Sequence, residues 1–163
     1  MQQNNREILR AILLGGLIAA TIDIAAASLI TGRSPTSIMQ VIAGGLLGKA
    51  TFNGGIGTMV LGAVLQEVMG VLIATIYVVL SKSIAALPRR WIASGLSFGV
   101  VIFFVMNYVV LPLSAWKSAP HFTSLKFAAN LAAMLLFGLI VAFFSRRLTM
   151  NKPLAQDKAA TAA

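Results

Sequence analysis

Four stretches of the chain hold almost nothing but apolar residues: Ile8 to Ile30, Met59 to Leu80, Ile92 to Ala115 and Phe127 to Phe144. Each comes close to the roughly 20 residues that an α-helix needs to cross a hydrocarbon core of about 30 Å. None alternates apolar and polar positions over about ten residues, as a barrel strand would. The pattern predicts an all-α polytopic membrane protein with four transmembrane helices, about 8–30, 59–80, 92–115 and 123–144. Trp91 and Trp116 flank the third run, at the level where indoles favour lipid headgroups. Pro112 lies near the far end of that run, where one lost helical hydrogen bond is tolerable.

Between the first two runs the pattern changes. Ser34-Pro35-Thr36 reads as a helix start with proline in the first helical position. Ile38 to Phe52 is apolar but too short to span, contains Lys49, and is followed by the helix-breaking Gly54-Gly55-Ile56-Gly57. The segment from about 36 to 52 is therefore expected to be a short helix, interfacial or re-entrant.

Composition fits lipid as the solvent. Of 163 residues 58% are hydrophobic and only 10% are charged, and the mean hydropathy is +0.89. A soluble domain of ordinary composition carries about 25% charged residues. The net charge of +9 does not point to nucleic acid, because Lys and Arg are scattered in the short segments between apolar runs rather than gathered on one domain face. There they contact headgroups and set orientation. Arg6, Arg10, Lys82, Arg89, Arg90, Arg146, Arg147, Lys152 and Lys158 fall on one side, nine of the 13 basic residues. Arg33, Lys49, Lys117 and Lys126 fall on the other, so both termini are expected in the cytoplasm. Residues 1–147 then form one transmembrane domain and 148–163 a small, polar, disordered cytoplasmic tail. Arg6 and Arg10 followed by an apolar stretch and Ala25-Ala26-Ala27 also have the features of a cleavable signal peptide. The run continues through that site, which favours a retained span.

A few polar residues interrupt the spans, and in lipid these are the functional candidates. Asp23, in the first span, should face protein or a wet cavity, or take up a proton. Gly16, Ala19, Ala20 and Ala27 share its side at helical spacing and suit close packing. A structural role, capping Thr58 or a backbone group, is the alternative. Glu67 in the second span is the other candidate for proton or cation binding, and an antiparallel first pair of spans would allow Asp23 and Glu67 to share a proton. Gln66, flanked at spacings of four by Gly62 and Gly70, and the amides Asn107 and Asn130 are expected to make polar contacts between helices. Lys49 and Asn53, beside Gly54-Gly55, form a weak candidate corner for a headgroup or anion, with snorkelling of Lys49 as the simpler reading. Gly44/Gly48 and Gly95/Gly99 have the GxxxG spacing that permits close contact.

No cysteine is present, which excludes disulfides and thiolate metal sites, and His121 is the only histidine. Neither a cofactor nor a metal site is expected. There is no phosphate loop, G-x-S-x-G elbow or H-E-x-x-H motif. Asp23-Ile24 followed by Ala26, Gly45 to Lys49 through Gly54-Gly55, and Val105-Met106-Asn107 through Pro112-Leu113-Ser114 resemble a family of small uncharacterised bacterial inner-membrane proteins. The resemblance runs from about Leu9 to Phe144. It implies four spans in a bacterial cytoplasmic membrane and no particular activity. Such proteins carry a histidine in the second span where this chain has Gln66, so chemistry built on that histidine would not apply. The expected partners are the lipid bilayer and further copies of the chain. A small oligomeric transporter or channel-like protein using Asp23 and Glu67 leads the functional readings, ahead of a non-catalytic scaffold or assembly subunit, with a membrane enzyme acting on lipid last.

Overall fold

The computed structural model describes residues 2–84, 86–117 and 123–150, with side chains described from 6 to 147. The chain is an all-α, multi-pass membrane protein. Four helices are long and apolar enough to cross a bilayer: Arg6–Thr31, Gly55–Ser83, Trp91–Leu113 and Ser124–Arg147. The first belongs to α1 (Gln2–Thr31). After a short break come α2 (Pro35–Leu47) and a 3₁₀ turn (Gly48–Asn53), then α3 (Gly55–Ser83). A single turn, α4 (Ala86–Arg89), leads to α5 (Trp91–Val105), a π turn (Met106–Val110) and α6 (Leu111–Leu113). The last helix is α7 (Ser124–Met150). The expected disordered tail begins at 148, but α7 continues through Met150; the rest of that tail and His121 lie outside the described residues.

Side chains are distributed as lipid demands. Along α3 the large residues Val60, Val64, Val68, Leu72 and Ile76 recur every four positions and are all exposed. The interior instead gathers small residues, with Ala20, Ala43, Ala74 and Ala142 fully buried. Lipid tails are as apolar as leucine, so helices gain by close backbone approach rather than by burying bulk. Two antiparallel seams show this. In the first, a Cβ on Gly16 of α1 would stand 2.8 Å from Val71 Cα, and one on Gly70 of α3 would stand 2.7 Å from Gly16 O. In the second, Gly95 and Gly99 of α5 meet α7 around Gly138, and a Cβ on Gly99 would come 2.8 Å from Leu135 Cα. The Gly95/Gly99 pair thus serves packing inside one chain. Phe144 of α7 against Gly15 joins the seams, and a core of Ala19, Ile73, Ala74, Tyr77, Ile102, Phe137, Val141 and Ala142 draws on all four spans.

The short helix begins where proline allows: Pro35 opens α2 and the Ser34 hydroxyl accepts the Ser37 N–H at 3.3 Å. Gly48, at φ +61°, ends it. The 3₁₀ turn doubles back, with Thr51 Oγ1 donating to Gln40 O at 2.8 Å and Thr58 Oγ1 to Thr51 O at 2.7 Å. α2 is not a free helix resting on lipid. Its Met39 backbone lies directly on Gly62 of α3, and the Trp116 indole fills the space above Gly44 and donates Nε1–H to Val41 O at 3.0 Å. Trp116 therefore ties α2 to the end of the third span, a role beyond that of a headgroup anchor.

The third span contains the π turn just before Pro112. Proline lacks an N–H and its ring presses on the carbonyl four residues back, here that of Tyr108. The ladder widens, and the Leu111 N–H reaches Met106 O, five residues back. Asn107 Nδ2 donates to Phe103 O at 2.8 Å where the spacing changes.

Candidate functional site

Antiparallel packing sets a polar layer into the seam between α1 and α3, a turn and a half beyond the Gly16–Gly70 contact. Asp23 and Glu67 are the only charged residues from 11 to 32 and from 55 to 81, and neither 91–116 nor 127–145 contains any. No Lys, Arg or His lies in these stretches, and among the described residues none pairs with either carboxyl.

Each carboxyl takes a neutral partner from the opposite helix. Gln66 Nε2 donates to Asp23 Oδ2 at 2.9 Å and, more weakly, to Ala20 O at 3.4 Å. Thr21 Oγ1 donates toward Glu67 Oε1 at 3.2 Å. Asp23 and Glu67 are thus brought into one seam, but no hydrogen bond joins them among the described residues. The cause is rotational, since Gln66 and Glu67 are consecutive and stand about 100° apart around α3. Thr21 is exposed together with Leu14, Leu17 and Ile18, whereas Asp23, Gln66 and Glu67 are half-buried. The expected capping of Thr58 by Asp23 does not occur, because the Thr58 hydroxyl is used by Thr51 O and Gly55 O.

The two pairs differ in how completely they are satisfied. Gln66 spends its amide on Asp23 and on a backbone carbonyl, a fixed brace between helices. At the other pair, the Thr21 hydroxyl stands 2.9 Å from Leu17 O as well as 3.2 Å from Glu67 Oε1. A hydroxyl has one hydrogen and two lone pairs. It cannot serve both acceptors fully, and Leu17 O is the nearer. The second Glu67 oxygen, Oε2, is buried with no hydrogen-bond partner among the described residues. A buried carboxyl oxygen without a hydrogen bond is costly in lipid.

Of the other expected contacts, Asn107 bonds within its own helix rather than to a neighbour. Asn130 is half-buried on α7. Lys49 and Asn53 are both exposed on the 3₁₀ turn. No group of three or more His, Cys, Asp or Glu side chains is placed to hold a metal ion among the described residues. Two polar features were not legible in the sequence. Thr21 becomes relevant only through the seam's register. Tyr77, 1% exposed, shares a 2.7 Å hydrogen bond with Ser94, whose hydroxyl also reaches Leu87 O at 2.8 Å, joining α3 to α5.

The chain matches no family model, no curated protein and no solved structure.

Proposed function

We propose that this is a small membrane transporter or channel-like protein in which Glu67 binds and releases a proton while Asp23 and Gln66 brace the helices around it. One observation carries the reading: the half-satisfied Glu67 carboxyl, one oxygen buried without a hydrogen-bond partner among the described residues and the other sharing a hydroxyl hydrogen with Leu17 O. With the proton on, Glu67 donates to Thr21, whose hydrogen stays on Leu17 O. With the proton off, the Thr21 hydroxyl turns to Oε1, and the seam holds a negative charge with no basic residue from 11 to 32 or from 55 to 81 to balance it. Proton occupancy is thereby coupled to the α1–α3 contact. Four spans leave little room for a solute path within one chain, which favours an oligomer. The excess of basic residues at one end of the bundle supports an orientation with both termini in the cytoplasm.

Infrared difference spectroscopy of the reconstituted protein across a pH titration tests proton binding without a known substrate. A protonated-carboxyl stretch that shifts in D₂O and is lost in Glu67→Gln is the expected result. The same variant should abolish acid-driven proton entry into liposomes. If wild type and Glu67→Gln give the same carboxyl spectra while folded, Glu67 is not the proton site.

A scaffold reading has its own support in the Asp23–Gln66 bond and the glycine seam, which need nothing beyond helix assembly. It leaves Glu67 Oε2 without an explanation and ranks second.

A further inference from the structure

The end of the bundle opposite α2 carries a set of cationic side chains that the proton site does not use. Trp91, the first residue of α5, lies edge-on to Phe143 of α7, with centroids 5.9 Å apart and planes at 61°. Arg146 places its guanidinium carbon 5.5 Å from the Trp91 ring centroid, and Arg147 places its own 4.7 Å from that of Phe143. The result is a ladder of two rings with a guanidinium on each. Arg89 and Arg90, both exposed, immediately precede Trp91 at the α4–α5 corner. The chain has four acids against 13 basic residues, and two of those acids are Asp23 and Glu67 in the seam.

The physics of this arrangement differs from that of loose surface lysines. A guanidinium drawn over a ring face keeps the N–H donors directed away from that ring free. Holding the group against a ring also removes rotamer freedom in advance, so less entropy is lost when an anion is grasped. A guanidinium edge matches two oxygens of a phosphate in parallel hydrogen bonds. Tryptophan belongs at the headgroup level, which places the ladder where lipid phosphates lie.

We propose that Arg146 and Arg147, held on Trp91 and Phe143 and assisted by Arg89 and Arg90, form a binding site for the headgroup phosphate of an anionic phospholipid. The acyl chains lie along the apolar face of α7 below Phe143, which is itself partly exposed. The site is built from two helices that meet at the Gly95–Gly138 seam, so lipid binding joins the ends of α5 and α7.

Native mass spectrometry of the full chain in a non-ionic detergent, titrated with phosphatidylglycerol, phosphatidylcholine or inorganic phosphate, tests this. Phosphatidylglycerol should bind saturably and more tightly than phosphatidylcholine, and millimolar phosphate should not displace it. Each basic residue near a membrane surface is worth about a fivefold change in affinity, so Arg146→Gln with Arg147→Gln should weaken binding about 25-fold. The double lysine variant, Arg146→Lys with Arg147→Lys, keeps the charge and the fold but loses the stacked fork. It should still lose about fivefold. Arg33→Gln, at the other end of the bundle, should change nothing. Wild-type affinity in the lysine variant would show diffuse charge attraction and overturn the site. So would an equal loss in Arg33→Gln, equal binding of phosphatidylcholine, or displacement by phosphate.

Discussion

Replacing Gly138 by alanine tests the close-packed seam on which the second helix pair depends. A Cβ at that position would overlap the Gly95 carbonyl oxygen and stand 2.8 Å from Gly99 N and 3.0 Å from Gly99 Cα. Ordinary contacts of this kind begin at about 3.5 Å. All three obstacles are backbone atoms, so no side chain can rotate aside and α5 must retreat by roughly 0.5–1 Å. A gap of that size forfeits a quarter to a half of each contact's attraction. Over a seam of ~30 atom pairs at about 0.1–0.2 kcal/mol each, the loss is about 1–3 kcal/mol. That agrees with the usual cost of overpacking a tight core. Gly57→Ala is the control, because an added Cβ there meets nothing within 4 Å and the backbone is not left-handed. Relief of glycine's flexibility should leave that variant as stable as wild type or up to about 1 kcal/mol more so. Reversible unfolding in mixed micelles, followed by circular dichroism against the mole fraction of sodium dodecyl sulfate, measures both. Equal midpoints for the two variants would refute the claim that backbone contact at Gly138 holds α5 to α7.

Three further outcomes follow from the same structure. Gln66→Leu removes the donor to Asp23, and a double-mutant cycle with Asp23→Asn in the same unfolding assay should give a coupling of about 1 kcal/mol. Thr21→Val takes the hydroxyl from Glu67 and should shift the carboxyl infrared band assigned to it; an unchanged band would mean that the two side chains do not interact in the membrane. Trp116→Phe loses the bond to Val41 O and should speed amide hydrogen exchange in 38–47, while exchange at the Gly95–Gly138 seam stays as in wild type.

Much of the fold was visible in the sequence because lipid imposes a single demand, an unbroken apolar run of sufficient length, and the four runs coincide with the four long helices. The Ser34-Pro35 start and the Gly54-Gly55 break were equally legible, since capping and left-handed glycine are local effects; Gly55 indeed sits at φ +52°. The candidate site was only half legible. Asp23, Gln66 and Glu67 stand out as polar residues in lipid, but their partners depend on the register and rotation of two helices. Those are set by where Gly16 and Gly70 touch, not by anything near the carboxyls. For that reason Asp23 pairs with Gln66 and Glu67 with Thr21, a residue that no local pattern marks. The Trp116 tie was hidden for the same reason, because an indole at a span end looks alike whether it meets headgroups or another helix.

The π turn before Pro112 is in effect one surplus residue wound into the third span. In a plain α-helix each residue advances the chain by about 100° around the axis. Removing a single residue from Met106–Val110 would let this turn close into plain α-helix and leave everything beyond it near its present angle, so that Trp116 would still meet Gly44 and Val41. The third span can thus lose one residue at this point without ceasing to cross the bilayer and without unfastening α2: the bulge is slack in the chain, taken up where Trp116 must keep its angle.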